Sequence, residues 1–280
     1  MNIHYLLTAA AVISLLLICV YASDKPLVAR LKTETLGSAL PCNKTAWQTL
    51  GPERVGRERR RFTTVWKEQG QTAFFFSAKM GIDADGSPRA YNPTNTGLEN
   101  NQNGKDAGHW VGIVLVNGRP YVQPAGAPAP GYYVSTTSLQ DESKSITDTR
   151  RYVNSEDIPY IALSPFVMHD FKRCVRDKKA CLGDIAYVLN SSNNKSAYAI
   201  VADKGPRKKA GEGSIALAKA LGIPSSPRSG GVDKGVFYVV FPGSGNESFK
   251  SIQEINNIGQ EYLNRWGGEE KLRTCLAPGN

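Results

Sequence analysis

Ala199-Ile-Val-Ala-Asp-Lys-Gly-Pro206 is the stretch that decides the fold, together with Gly211-Glu-Gly-Ser-Ile-Ala-Leu-Ala-Lys-Ala-Leu-Gly222 just after it. The apolar run before Asp203 is typical of a buried strand, and a Gly-Pro turn follows it. Ser214 is a natural N-cap for a short helix, which the last glycine of the second stretch would end. The pattern therefore predicts that Asp203 closes a rigid strand and that Glu212 stands just before a rigid helix.

Two carboxylates held by separate rigid elements can differ in protonation at one pH, which is the requirement for paired acid and base chemistry. Asp203 and Glu212 are our candidates for these two roles. A structural alternative stays open, because an aspartate can cap a turn and a glutamate can stabilise the start of a helix through the helix dipole.

Short β-rich runs with Gly, Pro and Asn between them occupy the middle of the chain and predict a barrel or a sandwich. The runs are 72–76, 111–116, 119–123, 160–163, 184–190, 197–202 and 236–241. Asn117-Gly118 predicts a type I′ hairpin turn, and residues 191–195 predict a hairpin loop before the strand of Asp203. Residues 249–266 have helical spacing, a Ser251-x-x-Glu254 capping box and a glycine stop, which predict a C-terminal amphipathic helix.

The first 22 residues are typical of a secretory signal, because an apolar run of about 16 residues ends in a small-residue cleavage pattern. The alternative is an uncleaved N-terminal anchor. We expect residues 23–70 to form a loosely ordered arm, residues 71–268 a single catalytic β-barrel domain and residues 269–280 a tail. The sequence thus predicts a secreted, extracellular or periplasmic protein with no stable membrane span once the signal is removed.

Removal of the signal would leave four cysteines, an even number that favours disulfide bonds in an exported chain. Three pairings are possible. We favour Cys174 with Cys181, which closes a local loop, and Cys42 with Cys275, which ties the two ends of the chain together. The spacing has no Cys-x-x-Cys pair and does not favour a metal site.

The decisive stretch resembles the core motif of glycoside hydrolase family 75, the fungal-type chitosanases. The resemblance extends over most of residues 70–268, through Phe74-Phe-Phe-Ser-Ala-Lys-Met-Gly-Ile-Asp-Ala-Asp-Gly86, Pro130-Gly-Tyr-Tyr-Val-Ser-Thr-Thr-Ser138, Leu182-Gly-Asp-Ile-Ala186, Ser196-Ala-Tyr-Ala-Ile-Val-Ala-Asp203 and Val239-Val-Phe-Pro-Gly-Ser244. The segment around Asp203 is also similar to double-psi β-barrel lytic transglycosylases of the RlpA type. The resemblance implies a mainly β (α+β) fold: a double-psi-like six-stranded β-barrel with short helices and the C-terminal amphipathic helix.

The resemblance also implies an inverting hydrolase that cleaves β-1,4 linkages of an amino-sugar polysaccharide. Asp203 would be the base and Glu212 the general acid. Candidate substrate-binding residues are Asp83, Asp85, His109 and Asp184. No cofactor is expected, and no metal, since the calcium-loop pattern that begins at Asp83 has Thr94 where its final glutamate should stand.

The formal net charge of +9 does not suit a chitosanase, because chitosan is itself a polycation. Lys204, Arg207, Lys208 and Lys209 even lie between the two proposed acids, so the expected function requires a cleft that is acidic in itself. Two rivals stay open: a peptidoglycan lytic transglycosylase that uses Asp203 alone, and a non-catalytic envelope-binding barrel. The scattered basic residues do not predict nucleic-acid binding, and we expect a monomer.

Overall fold

Twelve strands and four α-helices carry the fold in the computed structural model, which describes residues 42–55, 59–169 and 171–277. The strands are β1 Lys44–Val55, β2 Arg59–Glu68, β3 Phe74–Asp83, β4 Lys105–Asp106, β5 His109–Trp110, β6 Leu115–Val116, β7 Arg119–Pro120, β8 Tyr160–Leu163, β9 Ile185–Asn190, β10 Lys195–Lys204, β11 Glu212–Ser214 and β12 Val232–Phe241. The helices are α1 Phe171–Asp177, α2 Ile215–Ala220, α3 Ile252–Trp266 and α4 Gly268–Leu276, and a 3₁₀ turn spans Thr149–Arg151.

Six of these strands close a barrel in the order β3-β11-β8-β10-β9-β12, and β12 pairs back onto β3. The pairs β3–β11 and β8–β10 are parallel, and the other four pairs in the ring are antiparallel. The predicted six-stranded, mainly β barrel with short helices and a C-terminal helix is confirmed. The described residues all belong to one compact unit.

Alternation along the strands separates the barrel interior from its outer face. One set of side chains packs in the interior, and it includes Phe76, Met80, Ile161, Val201 and Tyr238. The other set points outward, where α3 and α4 cover part of it with Leu263, Trp266 and Leu272.

The helix signals behave as the sequence predicts. The Ser214 side chain accepts a hydrogen bond from the Leu217 N–H and caps α2. Ser251 and Glu254 form the capping box of α3. Asn117 and Gly118 both have positive φ, 50° and 74°, between the paired strands β6 and β7.

The barrel gains two strands from the segment that we expected to be a loosely ordered arm. Over residues 44–55 and 59–68 that expectation is wrong: β1 and β2 pair along their length, and Trp66 of β2 pairs with Phe75 of β3. Leu50 and Val65 are buried in the main core, so apolar contact with the barrel holds this hairpin in place. The predicted signal of residues 1–22 and the first part of the arm lie outside the described residues.

Two disulfide bonds tie the fold together, as the sequence predicts for an exported chain. Cys42 is bonded to Cys275 and Cys174 to Cys181, with Cα–Cα distances of 5.3 and 5.4 Å. The first bond joins the residue two positions before β1 to α4. A search of the described residues finds no helix with the length and apolar character needed to cross a membrane.

Candidate active site

The two candidate acids lie on neighbours of the same strand. Asp203 of β10 and Glu212 of β11 both take Ala162 of β8 as their register partner, one on each side. Residues in register share a face of a sheet, so both carboxylates project from the outer face of the barrel. The structure therefore brings these two residues together across β8.

A β-bulge gives Asp203 this direction. Val201 pairs with Ile161 and Asp203 with Ala162, so Ala202 is an extra residue in β10. Strict alternation would place Asp203 on the same side as Val201, which packs in the barrel interior. The bulge turns it outward instead, a recurrent use of bulges near functional sites.

The long segment between β3 and β8 covers this face. Its backbone is fastened to β10 next to the acid, because the Leu139 N–H donates to the Ala202 carbonyl at 2.8 Å. Val153 and Leu139 of the segment pack on Tyr160 of β8. Asp203 is consequently only 9% exposed.

Three donors converge on one oxygen of Asp203. Oδ1 accepts from Ser138 Oγ at 2.6 Å, from Ser138 N at 2.9 Å and from Lys204 N at 2.8 Å. Such bonds stabilise the ionised carboxylate. Burial raises the pKa of Asp203, and the donors from Ser138 and Lys204 oppose that rise.

Glu212 has a different setting. Burial raises its pKa, the charge of Asp203 raises it further, and Lys209 and Lys79 oppose the change. Within the described residues, no donor hydrogen-bonds its carboxylate. A small cavity of about 40 Å³ adjoins it, lined by Lys79, Gly81, Ala162, Gly205, Lys209, Ala210, Gly211 and Glu212 itself. This volume is enough to admit water.

Asp83 and Asp85 join the site from the end of β3. One carboxylate oxygen from each of Asp83, Asp85 and Asp203 lies within 4.8 Å of the other two. Asp83 Oδ1 accepts from the Asp85 N–H at 2.8 Å, and Asp85 Oδ1 accepts from the Tyr91 hydroxyl at 2.7 Å. The structure thus brings both expected residues to Asp203.

Burial raises the pKa of Asp83 and of Asp85 well above the usual range, and the neighbouring carboxylates add to the effect. Like charges this close oppose one another's ionisation. Carboxylate oxygens are ligands that hard cations prefer. Three such oxygens alone do not define a metal site.

Two other expected substrate-binding residues stand apart from this cluster. His109 is exposed on the β4–β5 hairpin, in register with Asp106. Asp184 has 0% exposure, and its carboxylate accepts from the backbone N–H groups of Cys181, Gly243 and Gly245 at 2.8–3.2 Å. All of these bonds are internal, so Asp184 fastens the turn after β12 and offers no acceptor to a substrate.

Sequence reasoning did not single out Ser138, Tyr91 or Glu99. Ser138 lies in a motif that the sequence displays, but only the fold brings it against Asp203. Glu99 is 3% exposed, and burial raises its pKa to about 7 against hydrogen bonds from Asn103 and Asn100. Ser138 reaches Asp203 across 65 residues of sequence, which no local pattern can show. Tyr91 and Glu99 bond residues no more than six positions away, but they belong to no recognised motif.

The conflict between the positive charge of the chain and a cationic substrate is smaller at the site itself. Lys79 is ion-paired with Glu53, and the guanidinium of Arg207 lies 5.3 Å from the ring centroid of Phe166. The carboxylates of Asp83, Asp85, Asp203 and Glu212 are close enough to influence one another electrostatically. Four carboxylates therefore meet at the site of a chain whose overall charge is positive, with Lys79 and Lys209 beside Glu212.

Comparison with known proteins identifies a family. A family model described as fungal chitosanase of glycosyl hydrolase group 75 matches residues 80–264, about two thirds of the chain. The match contains all four carboxylates of the site and confirms the resemblance seen in the sequence. A search of curated proteins found no match. The chain therefore belongs to the fungal chitosanase family, glycosyl hydrolase group 75, a membership that implies glycoside hydrolase activity on chitosan.

Proposed function

We propose that this protein hydrolyses the β-1,4 linkages of chitosan with inversion, using Glu212 as the general acid and Asp203 as the base. The observation that carries the proposal is the placement of both carboxylates on one face of the barrel, on either side of Ala162. Acid/base cleavage of a glycosidic bond needs two carboxyl groups that flank one linkage.

The hydrogen bonds support this division of roles. When two buried carboxyls interact, the one with more donors keeps the negative charge. Asp203 receives three donors on Oδ1, whereas Glu212 receives none from the described residues. Asp203 is therefore suited to accept a proton, and Glu212 to hold one.

The reaction then proceeds in one displacement. Glu212 gives its proton to the glycosidic oxygen, and the bond from that oxygen to the anomeric carbon breaks. Water attacks the same carbon from the opposite face while Asp203 takes one of its protons. The products are a new reducing end of inverted configuration and a free 4-hydroxyl on the other fragment. The cavity beside Glu212 gives this residue a path to regain its proton.

The spacing of the acids supports inversion. Two strand intervals of about 4.8 Å separate Asp203 from Glu212, which sets their Cα atoms about 10 Å apart. Inverting enzymes hold their carboxyls about 6.5–9.5 Å apart to admit water, whereas retaining enzymes need about 5–5.5 Å. A Cα separation of this size is compatible with the longer carboxyl distance.

Secretion is part of the proposal. Both disulfide bonds in the described residues favour an oxidising compartment. The apolar N-terminus supplies the signal for export.

The test is to incubate the purified protein with fully deacetylated chitosan and to follow the anomeric configuration of the first products by NMR. We expect new reducing ends of α configuration. Glu212→Gln and Asp203→Asn should each lower kcat by at least about 100-fold. Glu270→Gln is the matched control, because it makes the same change on an exposed residue of α4.

The rivals give different results in the same experiment. Products with β configuration would refute inversion. Anhydro-sugar ends from peptidoglycan, with activity that survives Glu212→Gln, would instead indicate a lytic transglycosylase dependent on Asp203. Binding without cleavage of either polymer would indicate a non-catalytic barrel.

A further inference from the structure

The β1–β2 hairpin carries positive charge that the proposed mechanism does not use. Residues 44–68 contain seven basic residues and three acidic ones, so this segment supplies +4 of the +9 on the whole chain. Glu53 is ion-paired with Lys79 of β3, and Glu68 with Lys271 of α4. The third acid lies outside the described residues. Two of the three acids are thus engaged by lysines of other elements, which leaves the arginines of the hairpin in excess.

Two of these arginines, Arg54 and Arg60, lie directly opposite each other. They are register partners in the antiparallel β1–β2 pair. Cβ atoms of such partners are about 4.5–5.5 Å apart, and like charges at this distance destabilise the pair. Both side chains are exposed, and neither has an ion-pair or hydrogen-bond partner among the described residues, whereas Arg89, Arg150 and Arg265 each bond a carboxylate. An anion from outside would relieve the repulsion between them.

An aromatic ring lies on the same face as these arginines. Alternation along β2 places Phe62 on the side of Arg60, opposite to Thr63 and Val65, which are buried. Phe62 is 59% exposed. Two residues of a strand span about 7 Å, so a guanidinium group and the ring are within reach of one ligand. We call Arg54, Arg60 and Phe62 the outward face of the hairpin.

Protection of a sheet edge does not explain the outward face. β1 is the edge strand of its sheet, and charged side chains on such strands often prevent aggregation. Pro52 and two register shifts in the β1–β2 pairing already interrupt this edge. An exposed phenylalanine has the opposite effect, because it favours association. The combination of charge and ring therefore points to a ligand.

The chemistry of the outward face indicates what that ligand is. Guanidinium groups bind carboxylates in a bidentate manner, and the face of an aromatic ring packs against the apolar face of a sugar. Chitosan does not fit, because it is a cation. A membrane-bound element buries a row of apolar side chains, but Phe62 is the only large apolar residue exposed in the described part of the hairpin. A nucleic acid also offers anions and stacking, but the disulfide bonds favour an oxidising compartment outside the cytosol.

We infer that the outward face of the β1–β2 hairpin docks the protein on an acidic polysaccharide that carries carboxylates, as in a chain of uronic acids. The two guanidinium groups bind the carboxylates, and the ring of Phe62 packs on a sugar. This surface is separate from the catalytic acids, and its ligand is not the substrate. A polyanion also attracts the polycation chitosan, so docking holds the enzyme where its substrate collects.

The test is calorimetry at low salt with polygalacturonate as the probe and with dextran as an uncharged polysaccharide. We expect the protein to bind polygalacturonate and not dextran. Arg54→Gln/Arg60→Gln should weaken this binding about three- to ten-fold, and Phe62→Ala about two- to five-fold. Arg119→Gln/Arg173→Gln is the matched control, because it removes the same charge from two exposed arginines outside the hairpin. This control should change the affinity less than two-fold.

Several results would overturn the inference. Equal weakening by the two double variants would show that net charge alone binds the polymer, and absence of binding by the wild type would remove the site. Tighter binding to phosphatidylglycerol vesicles or to single-stranded DNA, lost in Arg54→Gln/Arg60→Gln, would assign the outward face to another class of partner.

Urea unfolding separates a docking role from a structural one. Because Arg54→Gln/Arg60→Gln removes a repulsion, its unfolding midpoint should equal or exceed that of the wild type. A lower midpoint would show that the two arginines stabilise the fold and would refute the inference. The kcat for a glucosamine hexamer should be the same in this variant and in the wild type, so the proposed function is tested separately.

Discussion

Ser138→Ala is the most informative perturbation of the proposed mechanism. The hydroxyl of Ser138 donates to Asp203 Oδ1 at 2.6 Å and accepts from the Lys204 N–H at 3.2 Å. Its removal leaves the two backbone donors of Asp203 in place. The variant therefore weakens the stabilisation of the Asp203 anion without abolishing it, and it removes only one atom beyond Cβ.

The size of the effect follows from the bond that is lost. A hydrogen bond to a charged group contributes about 1.5–3 kcal/mol. Asp203 is 9% exposed, so water restores little of this stabilisation. The pKa of Asp203 must rise when a donor to its ionised form is removed, and the acid limb of the kcat/KM profile should move to higher pH. On that limb the variant should be about 10- to 100-fold slower than the wild type, because each 1.4 kcal/mol is a factor of ten. On the plateau of the profile, kcat/KM of the variant should nearly equal that of the wild type.

The assay is the pH dependence of kcat/KM on chitosan for the wild type, Ser138→Ala and a control. Ser143→Ala is the matched control, since its hydroxyl also donates to a carboxylate at 2.6 Å, that of Asp141 on the surface. This control should leave the profile unmoved. A shift of the alkaline limb would reverse the roles of Asp203 and Glu212. An unmoved acid limb would remove Asp203 as the base.

Three further predictions concern the framework of the site. Asp184→Ala should lower the free energy of unfolding in urea by about 2–4 kcal/mol, because three backbone N–H groups lose their acceptor; activity per folded molecule should persist, and its loss would return Asp184 to the substrate contacts. Gly211→Ala should reduce kcat and cost about 1–3 kcal/mol from backbone strain, since φ is +79°, and more from the new Cβ, which would lie 1.9 Å from the Lys79 carbonyl oxygen; a crystal structure that shows Glu212 undisturbed would contradict this. Replacing Cys42 and Cys275 by serine should cost about 5 kcal/mol in the same urea assay, because their loop spans 233 residues; a loss below about 1 kcal/mol would show that this loop is already ordered in the unfolded chain.

Local signals in the sequence predicted the elements that carry the acids. The strand of Asp203, the Ser214 cap and the capping box at Ser251 all depend on neighbours within a few residues. Interactions between residues a few positions apart leave a pattern that can be read from the sequence. The six-stranded barrel followed from these strands together with the family resemblance.

The remaining features depend on contacts between distant segments. The β1–β2 hairpin is held by Leu50 and Val65 against the barrel, and its sequence has no clean alternation. The outward direction of Asp203 depends on a register shift between β8 and β10, which a sequence does not display. The sequence suggested Asp184 as a substrate contact. The backbone groups at Gly243 and Gly245 that occupy its carboxylate are about 60 residues away, so the sequence around Asp184 does not reveal them.

The extra residue in β10 means that the length of that strand limits which sequence changes the protein can tolerate. Deletion of Ala202 would leave Asp203 opposite Ala162 on the outer face, but it would remove the backbone carbonyl that accepts from the Leu139 N–H and fastens the covering segment beside the acid. Ala202 is 0% exposed, so only small side chains fit at this position, whereas a shortened strand loses the carbonyl altogether. In a library of single-residue deletions screened for secretion and chitosan clearing, we expect survivors in the exposed loops and a gap at residues 201–203.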